Sequence, residues 1–321
     1  MHKSYQKYCP KCGGNQIIKK GFKDRIQIYK CKNCNHKFHN QKRKSNINID
    51  DIWNEYVFHK QTIRELIGLF DLDKKTLKMY LEEYTVKEKD DHDPRDIYLV
   101  VDATYFGKRK EGTSWGVVLF RDSKKKENLW WKFVINESFD HYLEGRLFLE
   151  AKGYAIKSVT MDGFKGNLNV FKGISIQICL YHLKQMVIRN ISLKPQTEAG
   201  QVLLAMVKEL PSMREDMFTN RIKQFHIKYA EFLIEKTHHP SGDWSYTHEG
   251  VLLAYRSVTY WFKYLFTYRL NKNIPSTSNT CEGHFSHVKD VVRIHRGLSR
   301  EMKEKVIKTI FLESTISPKD K

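Results

Sequence analysis

The spacing of apolar residues changes along the chain, and each change marks a different kind of element. Between residues 47 and 84 they recur every three or four positions: Ile52, Trp53, Tyr56 and Val57, then Ile63, Leu66, Ile67 and Phe70, then Leu77, Tyr80 and Leu81. That is the pattern of three short amphipathic helices. Thr62-Ile-Arg-Glu65 has the form of a capping box for the second helix, and Asp73 can cap the third. Val86–Arg95 is polar and contains Pro94, the mark of a linker. Ile97–Val101 is then a nearly continuous apolar run, a strand buried on both faces that ends on Asp102. Trp115–Phe120 and Leu129–Ile135 follow as strands joined by the turn-prone Arg121–Asn128. A helix over Phe139–Lys152, with Tyr142, Leu143, Leu147 and Leu149 among its apolar positions, stops at Gly153. A strand from Lys157 runs into Asp162, a short helix lies near Asn167–Phe171, and a fifth strand covers Ile174–Cys179.

Beyond Tyr181 the pattern is helical to about Leu270. Phe218, Ile222, Phe225, Tyr229 and Phe232 form a stripe that reads as core, and Val251–Leu270, interrupted by Arg256 and Lys263, reads as one buried helix rather than a membrane span. A later helix carries Cys281, Phe285, Val288 and Val292 inward, with Asn279 as its expected cap, and a last one covers Arg300–Leu312. The order βββαβαβ is that of an α/β, ribonuclease H-like mixed sheet, in which the first and fourth strands are neighbours. Asp102 and Asp162 would then lie side by side. The implied domains are 1–45, a small cysteine-bearing ribbon; 46–90, a helix-turn-helix; 91–195, the first part of the sheet domain; 196–271, an all-α insertion; and 272–321, its final helices.

Charge narrows the partners. There are 56 Lys+Arg against 37 Asp+Glu in 321 residues, a net +19, which calls for a polyanion. No basic amphipathic anchor, lipidation signal or signal-peptide core is present, so double-stranded DNA is expected and a membrane is not. In the expected helix-turn-helix, Lys74, Lys75 and Lys78 face outward at the start of the last helix, where a recognition helix would meet the major groove. Residues 1–49 hold thirteen Lys/Arg and a single acid, Asp24, so the ribbon too would face DNA.

Chemistry enters at the cysteines and acids. Cys9-Pro-Lys-Cys12 and Cys31-Lys-Asn-Cys34, eighteen residues apart, are two of the paired knuckles that close a tetrahedral zinc site. A redox CxxC would need a thioredoxin-like βαβ context that is missing, and the pattern indicates a reducing, cytoplasmic compartment. Two strands that each end in a carboxylate, Asp102 and Asp162, suggest rigidly held metal ligands. The third acid is assigned to Glu282, with Lys289 and Arg293 on its side of the helix placed to reach phosphates; Glu249 and Asp290 are its rivals. Cys179 and His182 invite a second zinc site with Cys281 and His284 as nearest partners. Two ligands do not make a site, so the CxxH turn is given a structural or DNA-positioning role.

Taken together, Asp102, Asp162-Gly163, Cys179-Leu-Tyr-His182 and Asn279-Thr-Cys-Glu282-Gly283 resemble the signature of Mutator-like DDE transposases of bacterial insertion sequences. The ribbon resembles the zinc-binding variant. Asp243-Trp-Ser-Tyr-Thr-His248-Glu and His295-Arg-Gly-Leu298 are similar to stretches that flank the third acid in that group, and Ser276-Thr-Ser-Asn279 departs from its Thr-Thr-Asn run. The resemblance, from Cys9 to about Leu312, implies metal-dependent strand cleavage and transfer at the ends of a mobile element by a nucleoid-associated homodimer with no small-molecule substrate. It implies two magnesium or manganese ions on Asp102, Asp162 and Glu282, with Asp102 bridging, and one structural zinc. A regulator derived from a transposase, or a ribonuclease H-like nuclease without strand transfer, are the competing classes.

Overall fold

The computed structural model describes residues 8–23, 26–39, 47–88 and 92–314. They divide into two units, one drawn from Met1–Tyr56 with Ile63–Tyr84, the other from Val57–Thr62 with Thr85–Lys321.

In the first unit β1 (Ile17–Lys23), β2 (Ile26–Cys31) and β3 (Lys37–His39) form an antiparallel sheet in that order. Among the described residues its buried core is Cys9, Cys31 and Phe38. Three helices follow, α1 (Ile49–Val57), α2 (Ile63–Phe70) and α3 (Lys74–Glu83). The expected inward residues Ile52, Trp53, Tyr56, Leu66, Leu77 and Leu81 are buried. Asp73 caps α3 as expected, its Oδ1 accepting from the backbone N–H groups of Lys75 and Thr76, each at 3.0 Å.

The second unit is built on β4 (Asp96–Phe106), β5 (Trp115–Asp122), β6 (Asn128–Val134), β7 (Ala155–Met161) and β8 (Ser175–Ile178), in the spatial order β6-β5-β4-β7-β8. The first three strands are antiparallel, and β7 and β8 join β4 in parallel. This is the ribonuclease H-like sheet expected from the element order. Ile97, Leu99 and Val101 point to one face of β4 and enter the main core with Val118, Phe120, Val159 and Ile178. Helix α4 (Phe139–Ala151) packs against β5 and β6. Gly145 lets it sit close, since a Cβ there would lie 2.7 Å from a Trp130 ring carbon and 2.8 Å from Phe120. Leu147, expected inward, is 54% exposed.

After α5 (Asn167–Val170), helices α6 (Leu180–Ile191), α7 (Glu198–Glu209), α8 (Glu215–Ile234) and α9 (Glu249–Trp261) pack on one another. The insertion is helical apart from one exposed hairpin, β9 (Lys236–His238) with β10 (Trp244–Tyr246). The helix expected over Val251–Leu270 ends early and gives way to 3₁₀ turns at Phe262–Tyr264 and Thr267–Arg269. The cause is β8. Buried Gln177 donates to the Leu265 carbonyl at 3.1 Å and accepts from the Tyr268 N–H at 2.8 Å, while the Thr267 hydroxyl donates to the Ile176 carbonyl at 2.6 Å. These bonds hold the segment against the strand in turns that a continuous helix could not supply. Helix α10 (Asn279–Ile294) packs on β4 and β5, and α11 (Arg300–Glu313) on β6. Among the described residues no helix is long and apolar enough to cross a membrane.

Candidate functional site

The structure contains two groups of side chains that could hold a metal ion and, beside one of them, a set of acids. The first group is the ribbon's. Cys9 Sγ lies 3.6 Å from Cys34 Sγ and Cys12 Sγ 3.6 Å from Cys31 Sγ, with all four sulfurs within 4.8 Å of one another. Those separations are far beyond the roughly 2.05 Å of a disulfide. They match the edge of a tetrahedron whose centre-to-sulfur distance is about 2.3 Å, which is about 3.8 Å. The four-thiol set can hold one zinc ion.

The acids lie in the second unit. Strand β4 does not end at Asp102, as the apolar run suggested, but continues to Phe106 because β5 pairs with it as far as Trp115. Its parallel partner β7 is in register at Val100 with Thr160 and stops at Met161. Two positions further on, Asp102 and Asp162 are therefore level, on the same side of the sheet. Asp102 is buried, 8% exposed, with one bond from the Ala103 N–H at 2.9 Å. Asp162 accepts from the Phe164 N–H at 3.0 Å. Glu282, in the first turn of α10, approaches the same place, as Cys281 reaches the Val100 carbonyl at 3.8 Å. Burial pushes the Asp102 carboxyl up to about 7, with repulsion from Asp162 and Glu282 adding to it and His182 opposing. A carboxylate so placed is a site short of positive charge. Glu249 begins α9 on the surface, and Asp290 pairs with Arg293 at 3.0 Å.

The second tight group is Cys179, His182 and Glu282, one ligand atom from each within 4.8 Å of the others. The expected partners of Cys179 and His182 were Cys281 and His284, and both turn elsewhere: Cys281 is wholly buried under β4, and His284 bonds to Asn128 at 2.9 Å. Cys179 immediately precedes α6, so the i,i+3 spacing puts His182 on its side of the first turn. Ser278, buried at the start of α10, holds the group together. Its hydroxyl is 3.1 Å from Glu282 Oε1, 3.3 Å from Cys179 Sγ and 3.3 Å from His182 Nδ1. Ser278, not Asn279, stands at the cap position, and its side chain is spent on Glu282 rather than on the helix backbone. The Cys179 hydrogen bond, with the Cys179, Asp102 and Asp162 charges, raises His182 to about 9 against burial. Burial pushes the Cys179 thiol up, but hydrogen bonds from His182 and Ser278 outweigh it and bring the thiol below its ordinary value.

An open cleft of about 700 Å³ runs beside Asp162 and His182, lined also by Tyr105, Arg109, Glu137 and Arg189. Arg109 and Arg189 were not singled out from the sequence, where nothing marks them among 56 basic residues. Lys74, Lys75 and Lys78 are exposed at the start of α3. Of the two cations assigned to α10, Lys289 lies over the Phe106 ring at 6.0 Å, while Arg293 is engaged by Asp290.

No family model matches the chain, and no curated protein matches it. Among solved structures it is similar to a chain of the Drosophila P element transposase strand transfer complex, at 12% identity and a TM-score of 0.41, over 86% of this chain and 94% of that one.

Proposed function

We propose that this chain is a DDE transposase of the Mutator-like, zinc-ribbon type, binding the terminal inverted repeats of an insertion sequence and cleaving and transferring DNA strands with divalent metal. The observation that carries the reading is the buried Asp102 carboxylate, held level with Asp162 and under the charge of Glu282. Burying one carboxylate among others is costly unless a cation completes the site. Magnesium or manganese there, two ions in the full assembly, would neutralise charge at the attacking and leaving oxygens. Asp102 is fixed by the sheet and suits a bridging position, while Asp162 opens onto the cleft. Arg109 and Arg189 line that cleft and would engage phosphates of the strand lying in it. Strand joining needs two DNA ends brought together, so the working form is a homodimer on double-stranded DNA. Lys74, Lys75, Lys78 and the ribbon serve binding rather than chemistry.

The test uses DNA from the flanks of the coding region, which should carry inverted repeats. With magnesium the protein should nick that DNA and join the freed end to a target. Asp162→Asn and Glu282→Gln should each lower both steps by at least about 10³-fold, with end binding kept within a few-fold. Glu249→Gln and Asp290→Asn should keep substantial activity. Nicking without joining would point to a nuclease, and binding without either step to a regulator. A Glu282→Gln protein that still cleaves would send the search for the third acid to Glu249.

A further inference from the structure

We propose that Cys179, His182 and Glu282 form a second transition-metal site, taking a thiophilic divalent cation such as zinc, whose occupancy withdraws Glu282 from the acid centre. The donor set is the first argument. A thiol and an imidazole at i,i+3, joined by a carboxylate, make an S/N/O set that suits zinc and does not suit magnesium, which takes oxygen ligands. Geometry is the second. A tetrahedral shell with bonds of about 2.0–2.3 Å has edges of about 3.3–3.8 Å. Here Ser278 Oγ stands 3.1 Å from Glu282 Oε1 and 3.3 Å from both Cys179 Sγ and His182 Nδ1. The three ligands are all within 4.8 Å, so a small contraction closes the shell, with the Ser278 hydroxyl or a water at the fourth corner. On binding, the Cys179 proton leaves to solvent and the thiolate becomes the anchoring ligand.

The third argument is where Glu282 lies. Asp102, Asp162 and Glu282 are not among the tight ligand groups of the described residues; Glu282 is gathered instead with Cys179 and His182. One carboxylate thus stands between two ligand sets, a hard one on the sheet and a soft one at the start of α6. A metal bound to the soft set would hold it there. This consequence for cleavage rests on the proposed function, whereas the site itself can be read without DNA or magnesium.

The experiment is zinc and cobalt titration of the full chain, first stripped of metal under reducing conditions. Two equivalents of zinc should bind. Cys31→Ser should remove one, and Cys179→Ser or His182→Gln the other. In the Cys31→Ser protein, cobalt should give a tetrahedral spectrum with a thiolate charge-transfer band that vanishes when Cys179→Ser is added. Glu282→Gln should weaken the second equivalent at least tenfold, and Asp162→Asn should leave it unchanged. Cys179 is buried, whereas His182 is partly exposed, so His182→Gln decides if the serine variant fails to fold. A chain that binds a single zinc, lost with Cys31→Ser alone, overturns the site. A second equivalent as tight in Glu282→Gln as in the native chain overturns the sharing of Glu282. Either result leaves the magnesium-dependent cleavage test standing on its own.

Discussion

The ribbon's cysteines and the sheet's acids bring candidate metal ligands together by opposite routes. The four cysteines come in two pairs, each within four residues, on a sheet whose buried core is Cys9, Cys31 and Phe38. Two of those three core residues belong to the four-thiol group that can hold zinc, so without an ion the fold there would have little to stand on. The acids are separated by 59 and 119 residues and are carried by two strands and a helix of a unit with an extensive apolar core. Asp102 sits on a strand fixed by that core. In the ribbon a bound metal would substitute for a core; at the acids the core buries a carboxylate that a metal would neutralise.

The contrast can be broken most directly by taking zinc away. A structural zinc site supplies roughly 10–16 kcal/mol of apparent binding free energy, which for so small a core is folding free energy. Chelation, or Cys31→Ser, should therefore abolish hydrogen-exchange protection in 8–39 and lower DNA affinity, while the thermal transition of the second unit is kept. Persistence of protection in metal-free ribbon would show that its core suffices, and the contrast would fail.

The acid centre should respond in the opposite sense. Burial leaves the Asp102 carboxyl at about 7 in the fold against an ordinary 3.8. The folded value is the higher one, so the native state carries no penalty below the ordinary value. The penalty grows as pH rises between the two and is complete above the folded value. It amounts to about 4 kcal/mol at most, as three pKa units correspond to about 4 kcal/mol. Asp102→Asn should accordingly stabilise the metal-free protein at pH 8, with no gain at pH 4, in urea unfolding. Saturating magnesium should narrow the difference by stabilising the native chain alone. A destabilised Asp102→Asn protein at pH 8 would mean that the carboxylate is already compensated by the protein.

What could be read in the sequence follows the same division. CxxC spacing is local and fixed by one tight turn, so the cysteine group was legible outright. The five strands and their order were legible because Ile97–Val101 and its neighbours are buried runs with a clear period. Side chains brought together from afar were not. Nothing near Cys179 or His182 points to Glu282, a hundred residues later, nor to Ser278 between them, since only the docking of α10 beside α6 joins the three. The hairpin β9–β10 escaped because its residues are largely exposed and show no apolar alternation. The early end of α9 escaped because Gln177, which imposes it, lies on another strand.

The smallest expected effects concern the DNA binding proposed for the unit that carries the ribbon. Lys74, Lys75 and Lys78 are exposed in the first turns of α3, just after the Asp73 cap. Positive charge is unfavourable at that end of a helix, by about 0.3–1 kcal/mol near the terminus at low salt. Alanine is also the better helix former. Lys74→Ala, Lys75→Ala and Lys78→Ala should therefore leave the stability of the first unit unchanged or slightly raised, so any loss of affinity cannot be blamed on a weakened helix. If α3 is the recognition helix of a helix-turn-helix, each phosphate-contacting lysine lost should reduce the salt dependence of DNA binding by about one unit and weaken all sequences alike. A lysine that touches a base should shift sequence preference instead. Cleavage at saturating DNA should be unchanged in all three, because no lysine of α3 belongs to the acid centre. Unaltered salt slope and unaltered preference would leave α1–α3 as a packing unit with a solvated basic face, and would pass the whole of DNA binding in this unit to the ribbon.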